Sequence, residues 1–324
     1  MALFNKPAYT IDQHLALLQQ RGMEIPDEPR AQHYLANIGY YRLSAYTRTF
    51  YQPGSDEHRF VPGTCFDHIL DLYVFDRELR LLLLDAIERI EIALRAQLAS
   101  TFAEHYGPHG YLNPDLFNTR YRHDWLIDKL NSEVQSRQFE TFLAHYRRKY
   151  TAAPPQPPIW MAVELLSFKE ISTLFANLRQ PQDTGRIEVH FGWKFPVLRS
   201  WFRSLSDLRN LCAHHVRVWN REFGSRPEMP RKTQRPWPQI PIAIPTGAHT
   251  RPEQRINPRR RLYAQLAVIE SLIQVACPDS RWAIRLGELL DRHTGPSRPH
   301  MGFPSGWEQD PFWQAALTSE GKRP

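Results

Sequence analysis

The amino-acid sequence predicts an all-α protein, a helical bundle around one long central helix with further helices at both ends of the chain. The 324 residues are 42% hydrophobic and 12% aromatic, a composition that excludes an intrinsically disordered chain. Over residues 66–102, apolar side chains recur at helical spacing with no proline or glycine. No stretch alternates apolar and polar residues between hairpin turns, so strands are few at most.

Changes in composition along the chain suggest four segments. They are an N-terminal helical segment (1–62), a helical core (63–220), a basic connecting segment rich in proline and arginine (221–261) and a C-terminal helical segment that packs on the core (262–324). In the first segment, Thr10 is placed to cap a helix over residues 9–21. A helix, a turn at Gly39 and a second helix are predicted over residues 34–46.

The predicted core begins with its longest element. As one helix, residues 66–102 span about 50 Å, more than the diameter of a small domain. Gly107 marks the end of this element, and the proline-rich residues 151–158 form a stiff connector. The other helices predicted in the core cover residues 124–150, 159–178 and 196–216. The C-terminal segment adds helices at 262–277 and 282–292, and its aromatic tail is expected to dock on the body.

Arginine dominates the positive charge of the chain. Lys and Arg together number 41 against 34 acidic residues, a net charge of +7, and 34 of these cations are Arg. The planar guanidinium group can grip a phosphate through two parallel hydrogen bonds, so this composition leans toward a nucleic-acid partner. The net charge itself is modest for this length and leaves the choice of partner open.

The segment 221–261 carries ten Lys or Arg residues against three Glu, together with eight prolines. It is either a loop that wraps the surface or an arm that contacts phosphates. If it contacts phosphates, the candidate RNA-binding residues in and beside it are Arg217, Arg221, Arg259 and Arg260.

The sequence offers no sign of a metal site or a cofactor. Cys65, Cys212 and Cys277 are odd in number and far apart, so they suggest neither a disulfide framework nor a zinc site. No H-E-x-x-H motif or paired C-x-x-C motif occurs. The longest unbroken aliphatic run is only Leu81–Leu84, and the first residues do not resemble a secretory signal. A cytoplasmic location without membrane contact is therefore expected.

One predicted helix carries residues that could perform chemistry. On a helical wheel of residues 201–221, one polar face holds Asp207, Asn210, His214 and Arg217. His214 is the histidine that we expect in a site, because Asn210 precedes it by one turn and Asp207 by two.

Two other residues of this helix fall on or beside its apolar stripe. Arg209 lies at the rim of the stripe, where a permanently charged group must be paired with an acid or face an anion. His215 points into the stripe, which favours a hydrogen-bonded core histidine.

An arginine and a histidine five residues apart suit the cleavage of RNA. The 2′-hydroxyl of RNA can attack its own phosphate if a base removes its proton and an acid protonates the leaving 5′-oxygen, and histidine can serve in either role. Arg209 could stabilise the charge that grows on the phosphoryl oxygens. Asn210 could orient the imidazole of His214 or hold a phosphate oxygen.

Two further groups of residues have alternative interpretations. On the long helix, Glu91 and Arg95 could contact Arg209 or His214 and hold them in position, but a solvated charged face is favoured for this pair. Tyr40, Tyr41 and Arg42 could stack on bases, but packing into the core is favoured.

Several blocks of the sequence, in order, resemble the Abi (abortive infection) proteins of the AbiD/AbiF type, bacterial phage-defence proteins of the HEPN superfamily. The strongest block is R-N-L-C-A-H-H-V-R-V-W-N-R at 209–221. The other blocks that carry the resemblance are I-G-Y-Y-R-L-S at 38–44, residues 75–95, Trp160 with E-L-L-S-F at 164–168, residues 262–270 and M-G-F-P at 301–304.

This resemblance implies a HEPN-like helical bundle and metal-independent endoribonuclease activity in a growth-arresting, anti-phage toxin. The catalytic motif would be Arg209, Asn210 and His214. HEPN nucleases usually join two such motifs, and because this chain carries one, the resemblance implies a homodimer. RNA would be the substrate, and an RNA or protein antitoxin or a phage trigger would be a further partner. The alternative is a HEPN-like protein that binds RNA or a protein partner without cleaving.

Overall fold

The computed structural model describes residues 3, 7–54, 57–137, 140–230, 235–240 and 257–318, and over these residues the fold is all-α, as predicted. Within them there are thirteen α-helices, three isolated β-bridges and no strand. None of these helices is long and apolar enough to cross a membrane. The helices are α1 Ile11–Gln20, α2 Glu28–Ile38, α3 Tyr40–Thr47, α4 Phe66–Tyr106, α5 His123–Ser136, α6 Thr141–Lys149, α7 Ile159–Leu165, α8 Phe168–Ala176, α9 Pro181–Phe191, α10 Phe195–Ala213, α11 Leu262–Ala276, α12 Trp282–Arg292 and α13 Pro311–Thr318.

The N-terminal helices follow their local sequence signals. The Thr10 hydroxyl accepts a hydrogen bond from the Gln13 N–H, and the Gln13 side chain accepts one from the Thr10 N–H, which completes a capping box for α1. Gly39 separates α2 from α3 with φ of +86°, a conformation that favours glycine. Helix α2 begins earlier than predicted because Asp27 caps it and Pro29 lies in its first turn, where a missing N–H costs little.

Helix α4 is the axis of the fold. Its 41 residues extend about 60 Å, and α3 and α7–α12 all pack against it. Gly107, at φ of +75°, ends the helix as predicted. Because so many helices pack on α4, apolar residues occur on most of its sides, and all thirteen described helices contribute to one continuous hydrophobic core.

The sequence prediction was wrong about two helices of the core. The predicted helix over 124–150 is two helices, α5 and α6. The predicted helix over 159–178 is divided into α7 and α8 at Ser167, whose hydroxyl and N–H form a capping box with Glu170. That S-x-x-E signal is present in the sequence and marks the start of a helix. Helix α9 was not predicted at all.

The C-terminal segment is part of the core. Helix α11 is buried from Leu262 to Ile273 and packs against α4, α9 and α10. The Gln265 side chain forms hydrogen bonds with the Ser204 hydroxyl of α10. The aromatic tail docks on the body as predicted, and the Trp313 indole N–H donates to the Tyr263 hydroxyl at 3.0 Å.

Glu270 is a carboxylic acid inside this core. Its side chain is buried on α11, where one oxygen accepts a hydrogen bond from Gln274 and the other, Oε2, has no partner. Burial raises the pKa of the Glu270 carboxyl from 4.5 to about 7. The folded protein therefore holds this proton at pH values where the unfolded chain has released it.

We expect Glu270→Gln to stabilise the protein more at pH 8 than at pH 4.5. Below pH 4.5 the carboxyl is neutral in both states. Between pH 4.5 and 7 only the unfolded chain ionises, so the parent loses stability relative to the variant, by about 3 kcal/mol in total. Urea unfolding of both proteins across this range measures the difference. Glu88→Gln, at an exposed position on α4, is the control, and an equal pH dependence of Glu270→Gln and the parent would contradict the assignment.

Candidate functional site

Helix α10 positions the predicted site. Trp201, Leu205 and Leu208 on its apolar side are fully buried, and the helix packs against α4 and α8. Asp207 is exposed and Asn210 half-buried, as expected for the opposite, polar face. The 3.6-residue periodicity of this helix therefore separates its core residues from its site residues as predicted.

The helix ends at Ala213, earlier than the predicted end near residue 216. His214 is the cap residue, and its N–H donates to the Asn210 carbonyl oxygen at 2.9 Å. His215 adopts the left-handed conformation with φ of +57°, and its side chain is exposed. The prediction that His215 is a core histidine was wrong, because the helix stops before the turn that would have directed this side chain inward.

A cleft of about 330 Å³ opens beside the end of α10. On one side it is lined by Asp207, Asn210 and His214, three residues that the sequence predicted would share a face. On the other side it is lined by the segment that follows the helix, including Arg221 and Phe223. The described residues contain no group of three or more His, Cys, Asp or Glu side chains that could hold a metal ion.

Arg209 is half-buried and does not line this cleft. Its Nη1 donates to the Oδ1 of Asn210 at 3.4 Å, a long hydrogen bond, and no carboxylate of the described residues forms an ion pair with it. Of the two environments expected for this charge, an acid partner or an anion, the acid partner is absent from the described part of the chain.

Asp207 fixes the opposite wall of the cleft. Its carboxylate accepts a hydrogen bond from the hydroxyl of Ser225, and no hydrogen bond joins it to His214. The Phe223 N–H donates to the Arg260 carbonyl oxygen at 2.8 Å, which joins the same wall to the end of the basic connecting segment.

Asp76 of α4 holds the segment between these two walls. Its side chain is fully buried and accepts hydrogen bonds from the backbone N–H groups of Val218 (3.0 Å) and Trp219 (2.6 Å). The Tyr46 hydroxyl donates to the other carboxylate oxygen at 2.7 Å, and Arg80 forms an ion pair with it. Burial raises the pKa of the Asp76 carboxyl, and these four donors oppose that rise.

Sequence reasoning missed Asp76 as part of the site. It lies on the long helix at a register position surrounded by apolar residues, and an acid at such a position needs buried partners. That placement was the available signal. The two backbone partners, Val218 and Trp219, lie 142 and 143 residues away along the chain and could not be identified from it.

Residues 33–220, more than half of the chain, match the model of the Abi-like protein family. The chain belongs to the Abi-like protein family. This membership indicates a role in abortive infection defence. The matched region contains Asp76 and the residues Arg209, Asn210 and His214. No curated protein and no solved structure matches the chain.

The predicted RNA-binding arginines of this Abi-like protein lie in different environments. Arg217 is half-buried and donates to backbone carbonyl oxygens, and Arg221 lines the cleft. Arg259 is exposed, and Arg260 forms an ion pair with Glu222 at 3.2 Å. Residues 231–234 and 241–256 of the predicted basic segment lie outside the described residues.

Glu91 and Arg95 form an ion pair with each other on α4. The favoured prediction of a solvated charged face was wrong for these two residues, because neither side chain is exposed. Arg95 is buried and also donates to the carbonyl oxygens of Val163 and Leu166, which fixes the end of α7. In the described structure, no hydrogen bond or ion pair joins Glu91 or Arg95 to Arg209 or His214.

The aromatic pair at the start of α3 is divided between core and surface. Tyr40 stacks on His14 with ring centroids 4.1 Å apart, in agreement with its predicted packing role. Tyr41 is 92% exposed, so the expectation of core packing was wrong for this residue. Arg42 donates from Nη1 to the His215 carbonyl oxygen at 2.8 Å, which brings the exposed side of α3 to the end of α10.

We expect Asp76→Ala to destabilise the Abi-like protein by about 3–5 kcal/mol, because it leaves the buried Arg80 without its acidic partner and two backbone N–H groups without an acceptor. Urea unfolding followed by circular dichroism measures this loss. Asp71→Ala, an exposed position on the same helix, is the matched control and should change stability by less than about 0.5 kcal/mol. Equal stability of the two variants would contradict an anchoring role for Asp76.

Proposed function

We propose that this protein is a metal-independent endoribonuclease of the HEPN superfamily, of the AbiD/AbiF type, that arrests growth during phage infection. His214 acts as general acid or base, Arg209 stabilises negative charge on the phosphoryl oxygens, and Asn210 orients the imidazole or holds a phosphate oxygen. RNA is the substrate, and the reaction takes place in the bacterial cytoplasm.

In the proposed reaction the nucleophile belongs to the substrate. The 2′-oxygen forms a bond to its adjacent phosphorus while the bond from phosphorus to the 5′-oxygen breaks. The proton of the 2′-hydroxyl passes to a base, and an acid supplies a proton to the leaving 5′-oxygen. The products are a 2′,3′-cyclic phosphate and a 5′-hydroxyl.

The observation that carries the proposal is the pair formed by His214 and Arg209. The imidazole of His214 is exposed, lines the cleft and forms no hydrogen bond with a described residue. Arg209 carries a permanent charge at the same helix end without an acid partner there. The proposed reaction requires an acid or base and a cation at one phosphate, and these two residues at the end of α10 are the ones that would supply them.

The mechanism needs two proton-transfer groups, and a second copy of the chain could supply the other. In the cleft, His214 is the one histidine, and the carboxylate of Asp207 is engaged by Ser225. A homodimer that joins two clefts would provide a second histidine. A growth-arresting ribonuclease also needs restraint, so an RNA or protein antitoxin or a phage trigger belongs to the proposal.

The presence of only one histidine in the cleft also favours a second candidate function. A single cleft with one histidine and one arginine, Arg221, could hold RNA, or an anionic protein partner, without cleaving it. In that case Arg209 is a phosphate clamp, and His214 contributes to binding only.

We expect the purified protein to cleave end-labelled RNA in the presence of EDTA, and His214→Ala to reduce cleavage at least about 1,000-fold while RNA affinity stays within about threefold. His215→Asn is the matched control, because it changes the adjacent exposed histidine and asparagine tolerates the left-handed backbone there. It should cleave like the parent. The fragments should carry 2′,3′-cyclic phosphates, and 3′-hydroxyl ends would point to a different mechanism.

If the parent and His214→Ala bind RNA equally and neither cleaves it, the binding function is favoured. A loss of affinity in Arg209→Ala would then identify the clamp.

If a homodimer completes the site, we expect the rate of cleavage per chain to fall when the protein is diluted below the dissociation constant of the dimer. Analytical ultracentrifugation measures that constant, and the cleavage assay is run over the same concentrations. A rate per chain that stays constant where sedimentation shows monomers would contradict a site shared between two copies.

A further inference from the structure

Two arginine side chains bind Asn220 beside the His214 cleft, and a third arginine follows it in the chain. Asn220 has a φ of +46°, so the chain turns sharply there. The Nη1 of Arg217 donates to the carbonyl oxygens of Trp219 (2.7 Å) and Asn220 (3.0 Å). The Nη1 of Arg261 donates to the Asn220 side-chain oxygen at 3.1 Å. Arg221 follows Asn220 directly and lines the cleft. We refer to Arg217, Arg221 and Arg261 as the arginine cluster.

The charge of this cluster is not neutralised by the described residues. Arg261 is only 7% exposed, and its buried Nε has no hydrogen-bond partner. The Nε of Arg221 is also buried without a partner. Neither these residues nor Arg217 forms an ion pair with a carboxylate in the described part of the chain.

The two nearest acids are already engaged. Glu222 forms an ion pair with Arg260, and Asp76 forms one with Arg80. Burial is the main cause that lowers the pKa of Arg217 and of Arg261; Asp76 and Glu222 oppose this shift, and neighbouring arginines add to it. Three like charges held together with unpartnered N–H groups are unfavourable unless an anion joins them.

The unpartnered donors are suited to a phosphate group. Guanidinium groups present N–H donors in a planar fork that matches phosphate oxygens, and they do so with a permanent charge. Arg221 links the cluster to the cleft, because it lines the same wall region that faces His214 and Asn210. An anion bound by the cluster would therefore be a neighbour of an anion bound at His214.

We propose that the arginine cluster is a second phosphate-binding site, and that it takes a backbone phosphate of single-stranded RNA adjacent to the phosphate held at His214. The inference rests on the proposed function for its ligand. The cluster positions the strand and takes no part in proton transfer. Successive phosphates of a flexible single strand can reach the arginine cluster and the His214 cleft at the same time. Tyr41, which is exposed next to Arg42, offers an aromatic ring on which an unstacked base can stack.

The test measures RNA binding separately from cleavage. A fluorescein-labelled 2′-O-methyl oligonucleotide cannot supply the attacking hydroxyl, so its affinity can be followed by anisotropy without turnover. We expect Arg221→Gln to weaken binding about 10-fold and to reduce the slope of log affinity against log salt concentration by about 0.7. Arg120→Gln, which removes the same charge from an exposed position, is the matched control and should keep the parent's affinity and slope.

A second variant guards against misfolding. Arg221→Lys keeps the charge but not the planar fork, so it should keep the salt slope while losing affinity severalfold. If Arg221→Gln folds and binds the oligonucleotide with the parent's affinity and slope, the second phosphate site is overturned, whether or not the parent cleaves RNA. If the parent fails to cleave while the loss in Arg221→Gln is observed, the proposed chemistry fails and the phosphate site stands.

A free anion is distinguished from an RNA phosphate by thermal unfolding in inorganic phosphate and in chloride at equal ionic strength. If phosphate raises the unfolding temperature of the parent but not of Arg221→Gln, while RNA affinity is equal in the two proteins, the ligand is a free phosphate and the RNA assignment is overturned.

Discussion

The buried carboxylate of Asp76 sets the geometry on which the candidate site depends. A carboxylate removed from water must be surrounded by donors, and this one collects them from three parts of the chain: the Tyr46 hydroxyl, the Arg80 guanidinium and the backbone N–H groups of Val218 and Trp219. The segment that leaves α10 is thereby drawn back to α4. Its return creates the second wall of the cleft, so a residue with no part in the proposed chemistry determines where the cleft opens.

The end of α10 is the second constraint, and it acts on the histidines. If the helix had continued to residue 216, His214 would have been one of several residues on a polar face and His215 would have been in the core. The helix instead ends at Ala213, and the left-handed His215 turns the chain toward Asp76. As a result His214 occupies the cap position, where its side chain is exposed in the cleft and is close to the last turn of the helix.

Charge is distributed around the cleft in an unbalanced way. Arginines on the long helix, such as Arg80 and Arg95, are paired with acids and serve the core. Around the cleft, Arg209, Arg221 and Arg261 have no such partners among the described residues. Leaving permanent charges partly buried and unpaired is unfavourable, and this cost is the physical basis for proposing a phosphate-rich ligand.

Local sequence patterns were sufficient to predict the helical class, the long helix from Phe66 and the shared face of Asp207, Asn210 and His214, because each depends on periodicity. The turn at Gly39 was predictable because glycine adopts backbone conformations that other residues avoid. The tertiary structure decided the rest. The hydrogen bonds of Asp76 and the grouping of Arg217, Arg221 and Arg261 bring together residues that are distant in the sequence. The exposure of Tyr41 depends on which surface the neighbouring helices leave uncovered. Periodicity assigns a residue to a face of its own helix, but only the packing of the other helices determines whether that face meets the core, a partner charge or solvent.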